Sequence, residues 1–156
     1  MILKNIFKIS KGKKAVESTD HTLQRYIQIE DLRSDDKIKY AQHDKKNITC
    51  DEHDVLIAWD GANAGTIGYN LKGVIGSTLA KLSPMRDNIY SPFVGRFLQS
   101  QFKYLRETCT GATIPHISRS ILESLKIPLP PLDQQKKIAA ILDAADAYRQ
   151  KTKALI

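Results

Sequence analysis

Hydrophobic positions change period along the chain. Up to about residue 85 they fall in short runs and alternations that suit strands. "MILKNIFKISKGKK" places Ile2, Leu3, Ile6, Phe7 and Ile9 in a short helix or strand that Gly12 ends. "QRYIQIEDL", around Tyr26–Leu32, reads as a strand with an acidic end. "RSDDKIKYAQHDKKNITC" is polar and reads as an exposed loop with short extended pieces. "DVLIAW", Asp54–Trp59, is a strand rich in β-formers. "TIGY" and "VIGSTLAKL" predict two more strands, with "NLKG" supplying a turn. Helical spacing then takes over. In "SPFVGRFLQSQFKYLRE", Val94, Leu98, Phe102 and Leu105 recur on one face, with Ser91 as N-cap and Pro92 at the first helical position. "ISRSILESLKI" predicts a second short helix in which Ser120 and Glu123 fit a capping box. "PLPPL" stops it.

Beyond the prolines, Asp133 is a good N-cap for a last helix. Ile138, Ile141, Ala145, Tyr148, Thr152 and Leu155 follow alternating steps of three and four, an a/d heptad seam that Leu142 widens. An amphipathic helix packed on its own domain would also satisfy this pattern; the proline break before it favours a protruding helix that needs a partner. The predicted fold class is α+β. A globular domain over residues 1–130, with mixed β-sheet and short helices, precedes a coiled-coil helix over 131–156.

Composition adds a partner class. The hydrophobic fraction of 42% is enough for a core, and the net charge is +7 with a sequence pI of about 9.4. That balance favours a polyanion, nucleic acid first and an anionic membrane surface second. The excess sits mainly near the N-terminus, in "KISKGKK" and "HDKKN". Cys50 and Cys109 lack CxxC spacing and no signal peptide precedes them, so they are expected to be reduced thiols in a cytoplasmic protein. No apolar run is long enough to span a membrane.

The glycines of "DGANAGTIGYNLKG" invite a nucleotide-site reading that the neighbours reject. Gly68 is followed by Tyr69 rather than Lys-Ser/Thr, and the chain continues into strands rather than the helix of a dinucleotide fingerprint. Turn chemistry is the better reading: Gly61 and Gly65 permit positive φ, and Asn63 tolerates it. Catalytic patterns are thin. His21, His43, His53 and His116 have no paired metal spacing, and no G-x-S-x-G elbow occurs. Asp51, Glu52 and Asp54 read as a solvated cluster before a strand. "LPPL" lacks the amide and ring of a base-methylating Asn-Pro-Pro-aromatic motif. A binder is expected rather than an enzyme, with no metal site and no cofactor held by this chain.

"DVLIAWDGANAGTIGYNLKGVIGSTLAKL" and "TGATIPHISRSILESLKIPLPPLDQQKKIAAILDAAD" closely resemble specificity subunits of type I restriction–modification systems. "LKNIFKISKGKK" and "YIQIEDL" fit the start of a target recognition domain in that family. The resemblance covers nearly the whole chain. It implies a non-catalytic subunit that reads double-stranded DNA and docks methyltransferase subunits, which use S-adenosylmethionine on adenine. A motor-nuclease subunit using ATP and Mg can join. Family members carry two recognition domains, each reading half of a split site, separated by helices packed as an antiparallel coiled-coil ruler. This chain holds one domain and one helix, about half that pattern. It is therefore a fragment, or a half-subunit that pairs with itself through the seam and reads an interrupted palindrome. Two alternatives stay open: a recognition fragment of a fused restriction–methylation enzyme, and a non-DNA helical assembly module.

Phosphate neutralisation falls first to Lys11, Lys13 and Lys14 around Gly12, then to Lys45 and Lys46. Base reading needs forked donors or amides, and Arg25, Gln28, Arg33, Gln42 and Asn47 are candidates, with Asn63 and Thr66 on the glycine turn. Trp59 fits a core or sheet-edge position better than a stack on a flipped base. His116 fits a structural hydrogen bond better than a phosphate contact. Helix–helix contact is expected at Ile138, Ile141, Leu142, Ala145, Tyr148 and Leu155.

Overall fold

The computed structural model describes residues 1–154. A 3-10 turn (Leu3–Asn5) leads into β1 (Phe7–Lys11), β2 (Glu17–Ser18) and β3 (Gln24–Ile27). A second 3-10 turn (Ile29–Leu32) precedes β4 (Lys39–Ala41), β5 (Thr49–Cys50), β6 (Val55–Ala58), β7 (Ile67–Gly68), β8 (Gly73–Ile75) and β9 (Leu79–Pro84). The helices are α1 (Ser91–Ser100), α2 (Phe102–Glu107), α3 (Arg119–Ser124) and α4 (Leu132–Ala154). One sheet, ordered β1-β9-β6-β7, is antiparallel. The other, ordered β2-β4-β3-β8-β5, is mixed because β3 and β8 run parallel.

The layers follow from β6. Val55, Ile57 and Trp59 point into a core with Phe93, Val94, Leu98, Leu105 and Leu122. Leu56 and Ala58 point the other way, onto Ile27, Ile75 and Leu79. The antiparallel sheet therefore lies between the helices and the mixed sheet. Both faces of β6 are buried, so its sequence is continuously apolar instead of alternating. Each large aliphatic side chain enclosed there contributes about 1.5–3 kcal/mol.

Several predicted ends move. The helix expected from Ser91 breaks at Gln101 into α1 and α2. Tyr90, not Ser91, is the N-cap; the Ser91 hydroxyl instead donates to the His53 carbonyl. Pro92 does occupy the first turn. The capping box at Ser120 and Glu123 does not form. Ser118 is the N-cap and accepts from the Ile121 N–H at 3.5 Å, while Glu123 pairs with Arg119. Asp133 lies inside the first turn of α4, where its charge suits the helix N-terminus. The Pro131 carbonyl accepts from the Gln134 and Gln135 N–H groups there.

α4 packs on α1. Gln135 is fully buried, accepting from the Tyr90 N–H at 2.9 Å and donating to the Asn88 and Pro130 carbonyls, each at 2.8 Å. Arg96 reaches from α1 to Asp143 at 2.6 Å and Asp146 at 3.5 Å. The predicted seam lies elsewhere on the helix. Ile138 is 39% exposed, Ile141 68% and Tyr148 74%, and Leu142 and Ala145 are exposed too. Leu155 lies outside the described residues. No helix of the described residues is long and apolar enough to cross a membrane.

Candidate nucleic-acid interface

The glycine turn joins β6 to β7 as a hairpin-like loop. Ala64 N–H donates to Gly61 O at 3.1 Å, and Gly65 N–H returns to Ala58 O at 2.8 Å. Gly61 and Gly65 sit at φ +97° and +98°, a region closed to most side chains. Asn63 does not adopt positive φ; Asn70, in the next turn, does. Gly68 is close-packed for a different reason, since a Cβ there would lie 2.7 Å from Leu32 Cδ2 and 3.3 Å from Leu32 Cα, so Leu32 would have to shift.

Three of the predicted recognition residues meet on this turn. Arg33 Nη2 donates to Thr66 Oγ1 at 3.0 Å and to Asn63 Oδ1 at 3.3 Å. Thr66 is buried and passes its own proton to the Asn63 carbonyl at 2.8 Å. On the far side Arg106 Nη1 donates to the Gly61 and Ala64 carbonyls, each at 3.4 Å. Leu32, Gly65, Ile67, Gln99 and Phe102 complete an open cleft of about 460 Å³ beside Arg33.

A buried brace holds the arm that carries Arg33. Asp31 is 3% exposed and accepts from Arg25 and Lys39, each at 3.0 Å, and from the Gln28 N–H at 2.8 Å. Gln28 and Asp31 cap the 3-10 turn reciprocally. Arg25 also pairs with Asp35, and Lys39 with Glu30. Burial acts to lower the Arg25 and Lys39 pKa values, yet the hydrogen bonds they donate to these carboxylates leave both raised. Arg25 is thus engaged by carboxylates, and Gln28 by its turn.

The lysines divide. Lys11 pairs with Asp60 at 2.7 Å, and its Nζ lies 6.0 Å from the Trp59 ring centroid. His116 Nδ1 meets the same carboxylate at 2.5 Å, the structural bond expected of it. Trp59 belongs to the core at 9% exposure, with Arg119 over its ring. Lys13, Lys14, Lys45 and Lys46 are exposed and make no ion pair among the described residues. Their two segments border one end of β8: Lys13 N–H donates to Ile75 O at 3.3 Å, and Ile75 N–H donates to Ile48 O at 2.9 Å. Asn47 turns its amide back to the Gln42 carbonyl at 3.0 Å. Sequence reasoning missed Arg106, Arg119 and Phe102, whose positions depend on packing across the sheet. Among the described residues no cluster of three His, Cys, Asp or Glu side chains suits a metal ion.

A family model for the type I restriction modification DNA specificity domain matches residues 1–156. The MjaVIII type I restriction enzyme specificity subunit of Methanocaldococcus jannaschii is 36% identical over 145 residues, 91% of this chain and 34% of that protein. The EcoBI specificity subunit of Escherichia coli is 28% identical over 101 residues, covering 65% of this chain and 21% of the relative. The HsdS subunit from Thermoanaerobacter tengcongensis shares the fold, with a TM-score of 0.74 at 23% identity over 99% of this chain and 38% of its own. The chain therefore spans about a third or less of the curated relatives it matches. With the match running from end to end, the chain belongs to the type I restriction–modification DNA specificity domain family.

Proposed function

We propose that this chain is a non-catalytic DNA-reading module that recognises one half of a bipartite site and docks adenine methyltransferase subunits. The observation that carries this reading is the meeting of Arg33, Asn63 and Thr66 at the mouth of an open cleft. A guanidinium and an amide fixed together at a surface recess are the kinds of groups that base-edge recognition uses. Exposed Lys13, Lys14, Lys45 and Lys46 would neutralise flanking phosphates. Residues 1–130 form the reading domain and 131–156 the beginning of a helical spacer. The exposed Ile138, Ile141 and Tyr148 of α4 suit a helical partner, and a second copy would give a two-fold arrangement reading an interrupted palindrome. In this scheme S-adenosylmethionine belongs to the methyltransferase subunits, and ATP and Mg to a motor-nuclease subunit. The working compartment is the cytoplasm.

Titration of the purified chain with duplex DNA at a series of salt concentrations tests the binding half of this reading. The expected outcome is an affinity that falls linearly, on logarithmic axes, as salt rises. Absence of DNA affinity together with salt-insensitive self-association would instead support a helical assembly module.

A further inference from the structure

We infer that Arg96 is a positioning residue for half-site spacing: with Asp143 and Asp146 it fixes the angle at which α4 leaves the reading domain, and so the number of base pairs between the two half-sites. The inference rests on the half-site reading proposed above and names the contact that sets the distance. α4 is held at two places along one face. The first is its opening turn, where Gln135 is fully buried and its amide is used up by the Tyr90 N–H and the Asn88 and Pro130 carbonyls. Ala139, one turn on, is buried as well. The second is Arg96. Its Nε and Nη2 donate to Asp143 Oδ1 at 2.9 and 2.6 Å, and Nη1 and Nη2 reach Asp146 Oδ2 at 3.5 Å. At 1.5 Å per residue these carboxylates lie about 12–16 Å beyond Gln135 along the axis. A helix held at one point pivots; held at two separated points it keeps its direction.

The tolerance follows from lever length. α4 has 23 residues and is about 34 Å long, so a tilt of about 6° at its base carries its far end about 3.4 Å, one base-pair step. The same tilt away from α1 moves Asp143 by about 1.2 Å, enough to stretch its 2.6 Å bond from Arg96 beyond hydrogen-bonding range. The Arg96 contact therefore opposes an error of a single base pair, which sliding apolar surfaces alone would permit. α1 passes the direction on to the sheet that carries the glycine turn. Val94 and Leu98 are fully buried, Gly95 lies against the Tyr69 ring, and Gln99 Nε2 donates to the Ile67 carbonyl at 3.5 Å.

Methylome sequencing of cells expressing the full chain with its methyltransferase subunits reads the spacing, for wild type, Arg96→Ala, Arg96→Lys and Asp143→Asn. The wild type should direct a bipartite motif with one spacer length. Arg96→Ala should keep both half-site sequences and add methylation at spacers one base pair shorter or longer. Arg96→Lys keeps the charge but not the fork and should restore the single spacer in part. If Arg96→Ala is too unstable to accumulate, Asp143→Asn decides, since it weakens the same contact at an exposed carboxylate. Pulsed electron paramagnetic resonance reads the angle itself, in the purified chain labelled at Lys8→Cys and Gln150→Cys, with Cys109→Ser and diluted into unlabelled chain. The distance distribution should broaden by about 3 Å or more in Arg96→Ala, one base-pair step. One unchanged spacer in both variants, methylation lowered at that spacer alone, or an unbroadened distance overturns the inference. If the wild type directs no bipartite motif, half-site reading fails and the spacing role falls with it, while the label distances still report whether Arg96 fixes the angle.

Discussion

Asp31→Ala removes the centre of the brace behind Arg33, and its cost can be worked from the contacts. The substitution deletes the acceptor shared by Arg25 and Lys39, whose side chains are only 15% and 19% exposed, and orphans the Gln28 N–H. Removing one partner of a buried ion pair costs about 3–5 kcal/mol. Asp35 still accepts from Arg25 and Glu30 from Lys39, which places the ionic part at the low end. The unpaired Gln28 N–H adds about 1 kcal/mol. The sum is about 4 kcal/mol, and at about 2–4 °C per kcal/mol for a chain of this size the melting temperature should fall by about 8–16 °C. Asp31→Asn keeps one acceptor oxygen and should fall between wild type and Asp31→Ala. Glu30→Gln, at an exposed carboxylate, should cost about 0–1 kcal/mol. Thermal and urea unfolding followed by circular dichroism measure all three. A drop below about 3 °C for Asp31→Ala would refute the reasoning, because the network would then behave as an ordinary surface one.

Joint replacement of Lys13 and Lys14 by alanine should lower the salt slope of DNA binding by about one per lost phosphate contact, and an unchanged slope would remove both from the interface. Ile138→Asp with Ile141→Asp alters exposed positions, so the melting temperature should hold within a few degrees while any self-association seen by sedimentation is lost; a persisting dimer would place its contact elsewhere. Burial acts to raise the Asp60 pKa, but hydrogen bonds from Lys11 and His116 outweigh it and leave the carboxyl below its ordinary 3.8. Its stabilising contribution is therefore present above 3.8 and lost as pH falls through the lower folded value. Asp60→Asn should flatten that part of the acid-unfolding curve.

Legibility in the sequence tracked how local each interaction is. The β6 strand was readable because a run enclosed on both faces needs no alternation, and the glycine turn because Gly61 and Gly65 need positive φ. The last helix was readable from its period. Helix caps were displaced, because a serine two residues from the true cap looks the same in one dimension: Ser118, not Ser120, is the N-cap that opens α3. Strands of two or three residues, such as β2 and β5, are too short to show a period. For the site, residue type nominated Arg25 and Arg33 equally. What separates them is tertiary: Arg25 meets the buried Asp31, whereas Arg33 passes it and reaches Thr66, 33 positions away in sequence. Arg106 carried no local sign of its place across the glycine turn.

Methylome sequencing of cells carrying this chain with its methyltransferase subunits, set against cells lacking only this chain, tests the DNA-specificity function directly. A bipartite methyladenine motif that disappears with the chain is the predicted result, palindromic if the chain pairs with itself. An identical methylome in both cells would contradict the assignment of sequence reading to this chain.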